Sequence, residues 1–221
     1  MIKLACQKNL YYFLTAEERE MNSIADRILR QVRARGSGSV FTPSDFVGLG
    51  SRAAVDQALS RLCKDKRLRR LAHGLYDYPR VHARLGALAP APDVVAKAFA
   101  RETGSNLQMA GAQAANALGL STQVPARSVY LTDGPSRRVV LGKRTVDIRH
   151  ASPKHLVAPG SMAGTVVQAL RHLGPDSASA VVDAAAPRLK DSDRRALANG
   201  MKQAPAWMRP ALDRIVRQAS G

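Results

Sequence analysis

Between Ser51 and His73 the chain gathers side chains suited to one kind of chemistry, hydrogen bonding to base edges and neutralisation of phosphate. Arg52, Gln57, Ser60 and Arg61 carry the base-reading groups. A guanidinium pairs with O6 and N7 of guanine, and a glutamine amide pairs with N6 and N7 of adenine. Lys64, Lys66, Arg67, Arg69 and Arg70 follow at once, with His73 just beyond. Such a run gives affinity for a phosphate backbone without choosing a sequence. From Ser51 to Arg80 eight basic residues face three acidic ones, a net +5, which a merely solvated face does not need. One feature argues the other way: Asp56 lies four residues beyond Arg52, where an ion pair along a helix would occupy the guanidinium. His73 has two readings, a tip that reaches a minor groove or a residue that is simply exposed.

These residues need a helix and a hairpin to present them, and the apolar spacing predicts both. Ile24, Ile28, Leu29 and Val32 recur at helical spacing until Gly36-Ser37-Gly38 breaks the pattern. Val40-Phe41-Thr42 reads as a short extended piece. Thr42-Pro43-Ser44-Asp45 then gives a cap and an early proline for a brief second helix through Val47. After the Gly48-Leu49-Gly50 turn, Ser51 caps a third helix that buries Val55, Ala58, Leu59 and Leu62 and turns Arg52, Gln57, Ser60, Arg61 and Lys64 outward. The stretch LRRLAHGLYDYP, residues 68–79, reads as a basic hairpin turning at His73-Gly74 and closed by Pro79. Tyr76 and Tyr78 share one strand face and are expected to pack the hairpin onto the first helix. Helix, strand, helix, turn, helix, hairpin is the order of a winged helix-turn-helix, expected over residues 21–80.

The whole composition agrees with a polyanionic partner. Lys and Arg number 34 against 17 Asp and Glu, for a net charge of +17. No uninterrupted apolar span approaches the roughly 20 residues that cross a bilayer, and the first residues have no secretory pattern. A cytoplasmic protein that does not engage a membrane is the expectation. Cys6 and Cys63 lack the spacing of a disulfide framework or a zinc site, and His150 and His155 flank Ser152-Pro153-Lys154 too loosely for a metal. Glu occurs only at positions 17, 18, 20 and 102. Asp147-Ile148-Arg149 is only a distant echo of a nuclease Asp-x-Lys arrangement, and no phosphate-binding loop, nucleophile elbow or zinc-protease motif occurs. We expect no enzymatic activity, no metal and no cofactor.

Residues 1–20 read as an N-terminal extension. Either Met21 is the native start or the extension is a real helix that packs on the domain. Beyond Arg80, the Ala- and Pro-rich residues 81–92 read as a linker. An α+β domain is expected over 93–158, with a helix from Val94 to Gly104, another from Met109 to Leu118, and three antiparallel strands at 128–132, 138–141 and 145–149. Residues 159–221 read as a C-terminal helical region, with helices near 165–173, 177–185, 191–201 and 210–218. Arg137, Arg138, Lys143, Arg144 and Arg149 give the strand cluster a basic face, which serves solubility, phosphate or an acidic protein partner. The fold class is therefore α+β.

The run SRAAVDQALSRLCKDKRLRRLAHGLYDYP resembles the AbiEi-like antitoxins of type IV toxin-antitoxin systems and related transcriptional regulators, through its Leu-rich helix, basic run and Gly-Leu-Tyr strand ending in Pro. The likeness extends more loosely to about residue 155 and leaves the helical tail unmatched. It implies a repressor that binds double-stranded DNA at the operator of its own operon. It also implies an antitoxin that counters a nucleotidyltransferase-like toxin, by direct contact or functionally. Two alternatives stand beside it: a protein-binding module that neutralises an acidic partner, and a winged-helix regulator unrelated to toxins.

Overall fold

The computed structural model describes residues 23–122 and 127–218. The 1–20 extension, the Met21 start and Cys6 lie outside them. The chain divides into two compact units, one ending at Ala91 and one beginning at Pro92, and its architecture is α+β. Among the described residues no helix is long and apolar enough to cross a membrane.

In the first unit, helix α1 (Ile24–Arg35) starts where the Ser23 hydroxyl accepts from the Asp26 amide, and it stops at Gly36, whose φ of 83° suits a residue without a side chain. Strand β1 (Val40–Phe41) leads into a helix at Pro43–Leu49. That helix is a tight 3-10 coil that runs two residues past Val47, into the stretch expected to be the turn. The Asp45 carboxylate accepts from the Thr42 amide at 2.8 Å, which fixes its start. Helix α2 (Arg52–Lys64) buries Val55, Ala58, Leu59 and Leu62, the face its periodicity predicts. At the bend before it, a Cβ on Gly50 would stand 2.7 Å from Cδ1 of Ile24, so a side chain there would make that end of the isoleucine shift.

Strands β2 (Arg69–Ala72) and β3 (Leu75–Asp77) form the hairpin, turning through Gly74 at φ 66°. Strand β1 adds to its far side, so the sheet order is β1-β3-β2. One core joins the unit: Ile28, Leu29 and Val32 of α1 meet Phe41, Phe46, the buried face of α2 and Tyr76, with Tyr78 packed at its edge. The two tyrosines thus hold the hairpin to the helices, as their shared face predicts. The stretch read as a linker carries structure of its own, because β4 (Val81–His82) and β5 (Gly86–Ala87) pair as a second, very short hairpin.

In the second unit, α3 (Pro92–Thr103) precedes β6 (Leu107–Met109) and α4 (Gly111–Ala117). Met109 thus lies in a strand, and the expected helix from 109 begins only at Gly111. Strand β6 pairs with β7 (Arg127–Thr132) from Leu107↔Thr132 to Met109↔Tyr130, and this ladder overrides the local alanine-rich pattern. Strands β8 (Arg137–Leu141) and β9 (Arg144–His150) form an antiparallel hairpin. The order β6-β7-β9-β8 and the parallel pairing of β7 with β9 depart from the three antiparallel strands expected. The reason lies in the side chains. Val146, Asp147 and Ile148 are buried in succession, so β9 must be covered on both faces and takes a central place. Strand β8 exposes Arg138 and Val140 and stays at the edge.

Helices α5 (Met162–Leu173), α6 (Ala178–Ala185), α7 (Asp191–Gly200) and α8 (Arg209–Arg217) complete the unit. Every residue of α5 from Ala163 to Leu170 is buried, which makes it the central helix. Its core takes in Ala114 and Leu118 as well as Val181, Leu197, Leu212 and Ile215, so it joins residues on both sides of the division expected after 158. The buried Arg194 ties the helices together, its guanidinium donating to the carbonyls of Ala186 and Ile215.

Candidate nucleic-acid interface

Helix α2 turns one stripe to solvent. Ala53, Gln57, Ser60 and Lys64 recur at three- and four-residue steps, opposite the buried face, and all are exposed. Arg52 and Arg61 flank the stripe and are exposed too. Two of its four positions are Ala53 and Ser60, whose small side chains leave room for a close approach by a flat surface.

Of the base-reading candidates, Gln57, Ser60 and Arg61 have no internal partner among the described residues. Ser51 and Arg52 do. The Ser51 hydroxyl accepts from the Ala54 amide at 3.3 Å and caps the helix. Arg52 Nε donates to Asp56 at 3.0 Å, the ion pair that the spacing raised as the alternative. Both partners are about half exposed, so the pair is worth roughly 0.3–0.5 kcal/mol and opens easily.

The basic run after α2 separates into two kinds of residue. Lys64, Lys66, Arg67 and Arg70 are exposed and have no acidic partner among the described residues. Lys66 closes the helix in the left-handed region, at φ 56°, where glycine is the usual occupant. The amides of Arg67 and Leu68 then both donate to the Leu62 carbonyl, at 2.9 and 3.1 Å, and turn the chain into β2. His73 is exposed at the tip of the β2–β3 hairpin.

Arg69, also expected at phosphate, is the exception, because its guanidinium is engaged inside the fold. Its Nε and Nη2 donate to the two carboxylate oxygens of Asp77 at 3.0 and 2.6 Å. Nη2 also donates to the Leu88 carbonyl at 2.7 Å. Asp77 is fully buried, and Arg69↔Asp77 is a cross-strand pair of β2 and β3. The hydrogen bonds from Arg69 to Asp77 raise the arginine's pKa further above its ordinary value. A planar fork already satisfied by a buried carboxylate and a carbonyl is a fastener, not a free cation. The sequence signal was present in the lone Asp77 within Leu-Tyr-Asp-Tyr, an acid placed directly across from an arginine once the hairpin register is known.

Cys63 on α2 is half-buried, and burial pushes its thiol pKa up, so it is a packing residue with little thiolate character. The second basic cluster is differently arranged. Arg149 and Arg138 both reach Asp147, at 2.8 and 3.5 Å. Hydrogen bonding from Arg149 holds that carboxyl below the usual carboxylate range. Asp147 is therefore an ion-pair centre. Among the described residues no three His, Cys, Asp or Glu side chains converge to hold a metal.

Comparison with curated proteins and with solved structures gives no match. A family model does match, over residues 27–196, from within α1 to within α7 and across both compact units. The chain accordingly belongs to DUF6088, a family of unknown function.

Proposed function

We propose that residues 23–80 form a winged helix-turn-helix that binds double-stranded DNA, with α2 in the major groove and the β2–β3 hairpin as the wing. One observation carries this reading. The exposed stripe of α2 ends in a run of cations, Lys64, Lys66, Arg67 and Arg70, that have no acid to neutralise them among the described residues. A stripe of two small residues and a glutamine, flanked by Arg61, fits a groove floor, and the cations fit the phosphates at its edge. Gln57 and Arg61 supply base discrimination in this account. Lys64, Lys66, Arg67 and Arg70 supply affinity, and Ser51 and Asp77 with Arg69 keep the elements in place.

The resemblance to AbiEi-like antitoxins supplies the biological setting of the proposal, a repressor of its own operon whose neighbouring product is a nucleotidyltransferase-like toxin. A mobility-shift experiment tests the DNA reading. The protein should shift the duplex that lies upstream of its own reading frame at concentrations on the order of a thousandfold below those needed for a shuffled duplex. Equal shifts of both duplexes would reduce it to a non-specific binder, and no shift at low salt would refute it. Co-purification with a neighbouring gene product, persisting in high salt where no duplex is bound, would favour the protein-binding alternative instead.

A further inference from the structure

The second unit holds an open-mouthed cavity of about 600 Å3, within the size range of small-molecule sites. It lies apart from the proposed DNA surface in sequence, and its argument does not rest on that reading. Its floor is polar and incompletely satisfied. Tyr130 lines it and is only 4% exposed. The Tyr130 hydroxyl accepts from Gln113 Nε2 at 3.5 Å, but its own proton has no acceptor among the described residues. Burial pushes the phenol's pKa up, so the hydroxyl remains a donor at neutral pH. The other end of the same amide, Gln113 Oε1, is buried without any partner. Ser128 is the next side chain on the same face of β7. It too is buried and has no partner for its hydroxyl among the described residues.

Buried donors and acceptors are almost always paired. An unpaired acceptor, a phenol whose proton is unused and a serine hydroxyl, on three residues that line one cavity, are the complement of a ligand edge that has a donor next to an acceptor. The side walls are of another kind. Leu107, Met109 and Met162 present apolar, deformable surface of the sort that accommodates a flat ring. At the rim stands Arg144, exposed and without an acidic partner among the described residues. Lys97 joins it there, held to Asp93 only by an exposed contact at 3.5 Å.

Polar groups, apolar side chains, the exposed Arg144 and the Lys97–Asp93 pair, all lining one cavity, together describe a ring that ends in an anion. We infer that this cavity binds a nucleoside 5′-monophosphate whose base carries a lactam edge, the ring N–H donating to Gln113 Oε1, the carbonyl accepting from Tyr130 or Ser128, and the phosphate meeting Arg144 and Lys97.

Titration calorimetry on the full chain, with uridine 5′-monophosphate, adenosine 5′-monophosphate and uridine as probes, tests the inference. The uridine nucleotide should bind with a dissociation constant below about 1 mM. Adenosine 5′-monophosphate, which lacks the lactam, should bind at least about tenfold more weakly, because a site built to hydrogen-bond a group rejects the analogue without it. Tyr130→Phe should cost about tenfold in the nucleotide's affinity through one lost hydrogen bond. Arg144→Ala should bring the nucleotide down to the level of the nucleoside. Arg144 is exposed, so this variant keeps the test decisive even if Tyr130→Phe does not fold. The inference is overturned if the uridine nucleotide fails to bind up to about 5 mM, if the two nucleotides bind alike, or if neither substitution moves the affinity.

Discussion

The two basic surfaces of this protein look alike in sequence and differ in what their charges are free to do. Around α2 and the β2–β3 hairpin, Lys64, Lys66, Arg67 and Arg70 stand in solvent with no acid among the described residues to quench them. On the sheet of the second unit, Arg138 and Arg149 bend onto one buried carboxylate, Asp147. A charge count registers both as basic faces. The first keeps four such cations together, whereas Asp147 takes up two on the second, and free cations are the ones that release counterions from a nucleic acid. The same lesson repeats within the first surface, where Arg70 is free and its neighbour Arg69 is consumed by Asp77 and Leu88.

The comparison breaks most sharply at Arg69. Arg69→Ala leaves the carboxylate of Asp77 buried without its partner and should cost about 3 kcal/mol of stability, read from the urea midpoint of the first unit's transition. Asp77→Ala should cost less, because the arginine it frees is one-third exposed and can turn to water. Should Arg69→Ala leave the midpoint unmoved and weaken DNA binding in the manner of Arg70→Ala, then Arg69 belongs with the free cations after all.

Lys66 sharpens the contrast from the other side, because it keeps a free charge at the expense of backbone strain. Lys66→Gly should raise stability by about 1 kcal/mol, since glycine suffers no Cβ clash in the left-handed region. The same variant should bind duplex DNA more weakly, with a salt dependence reduced by about 0.9 in log–log slope. Opposite signs in the two measurements mark a residue retained for binding. A variant that loses stability would show that the lysine stem packs.

The paired surface should report itself through acid. Asp147 titrates below its ordinary value in the folded protein, chiefly through the hydrogen bonds from Arg149. Its contribution to stability is thus complete above the unfolded carboxyl pKa of about 3.9 and is lost as the pH falls through the lower, folded value. Asp147→Asn should lower the urea midpoint at pH 7 and flatten its fall between about pH 4 and pH 2. An unchanged acid limb would mean that the two arginines gain nothing from the carboxylate. The smallest effect is expected at Arg52, where replacement by Ala breaks an exposed i,i+4 pair and should change stability by no more than about 0.5 kcal/mol.

What the sequence made legible was local. The Ser51 cap, the buried stripe of α2, the His73-Gly74 turn and the packing of Tyr76 all follow from periodicity and turn chemistry over a few residues. What it concealed was decided at a distance. The parallel pairing of β7 with β9 depends on which strand must be covered on both faces. The β4–β5 hairpin is too short to show a period. The fate of Arg69 depends on an acid eight residues away and on a carbonyl nineteen away. The cavity around Tyr130 draws on α3, β6, α4, β7, β9 and the start of α5, with no motif in any one of them. Hydrogen-bond satisfaction, which no charge count measures, is what separates the free residues from the committed ones.

The central claim is that the cations bordering α2 are available to phosphate, and the salt dependence of duplex binding measures it most directly. Fluorescence anisotropy with the upstream duplex should show affinity falling on the order of a thousandfold between about 50 and 200 mM salt, as for roughly six phosphate contacts. The Lys64→Ala, Arg67→Ala, Arg70→Ala triple variant should lose about 2.7 from that log–log slope, while Arg138→Ala with Arg149→Ala leaves it unchanged. A slope that the triple variant does not alter, or that the sheet variant alters as much, would contradict the account.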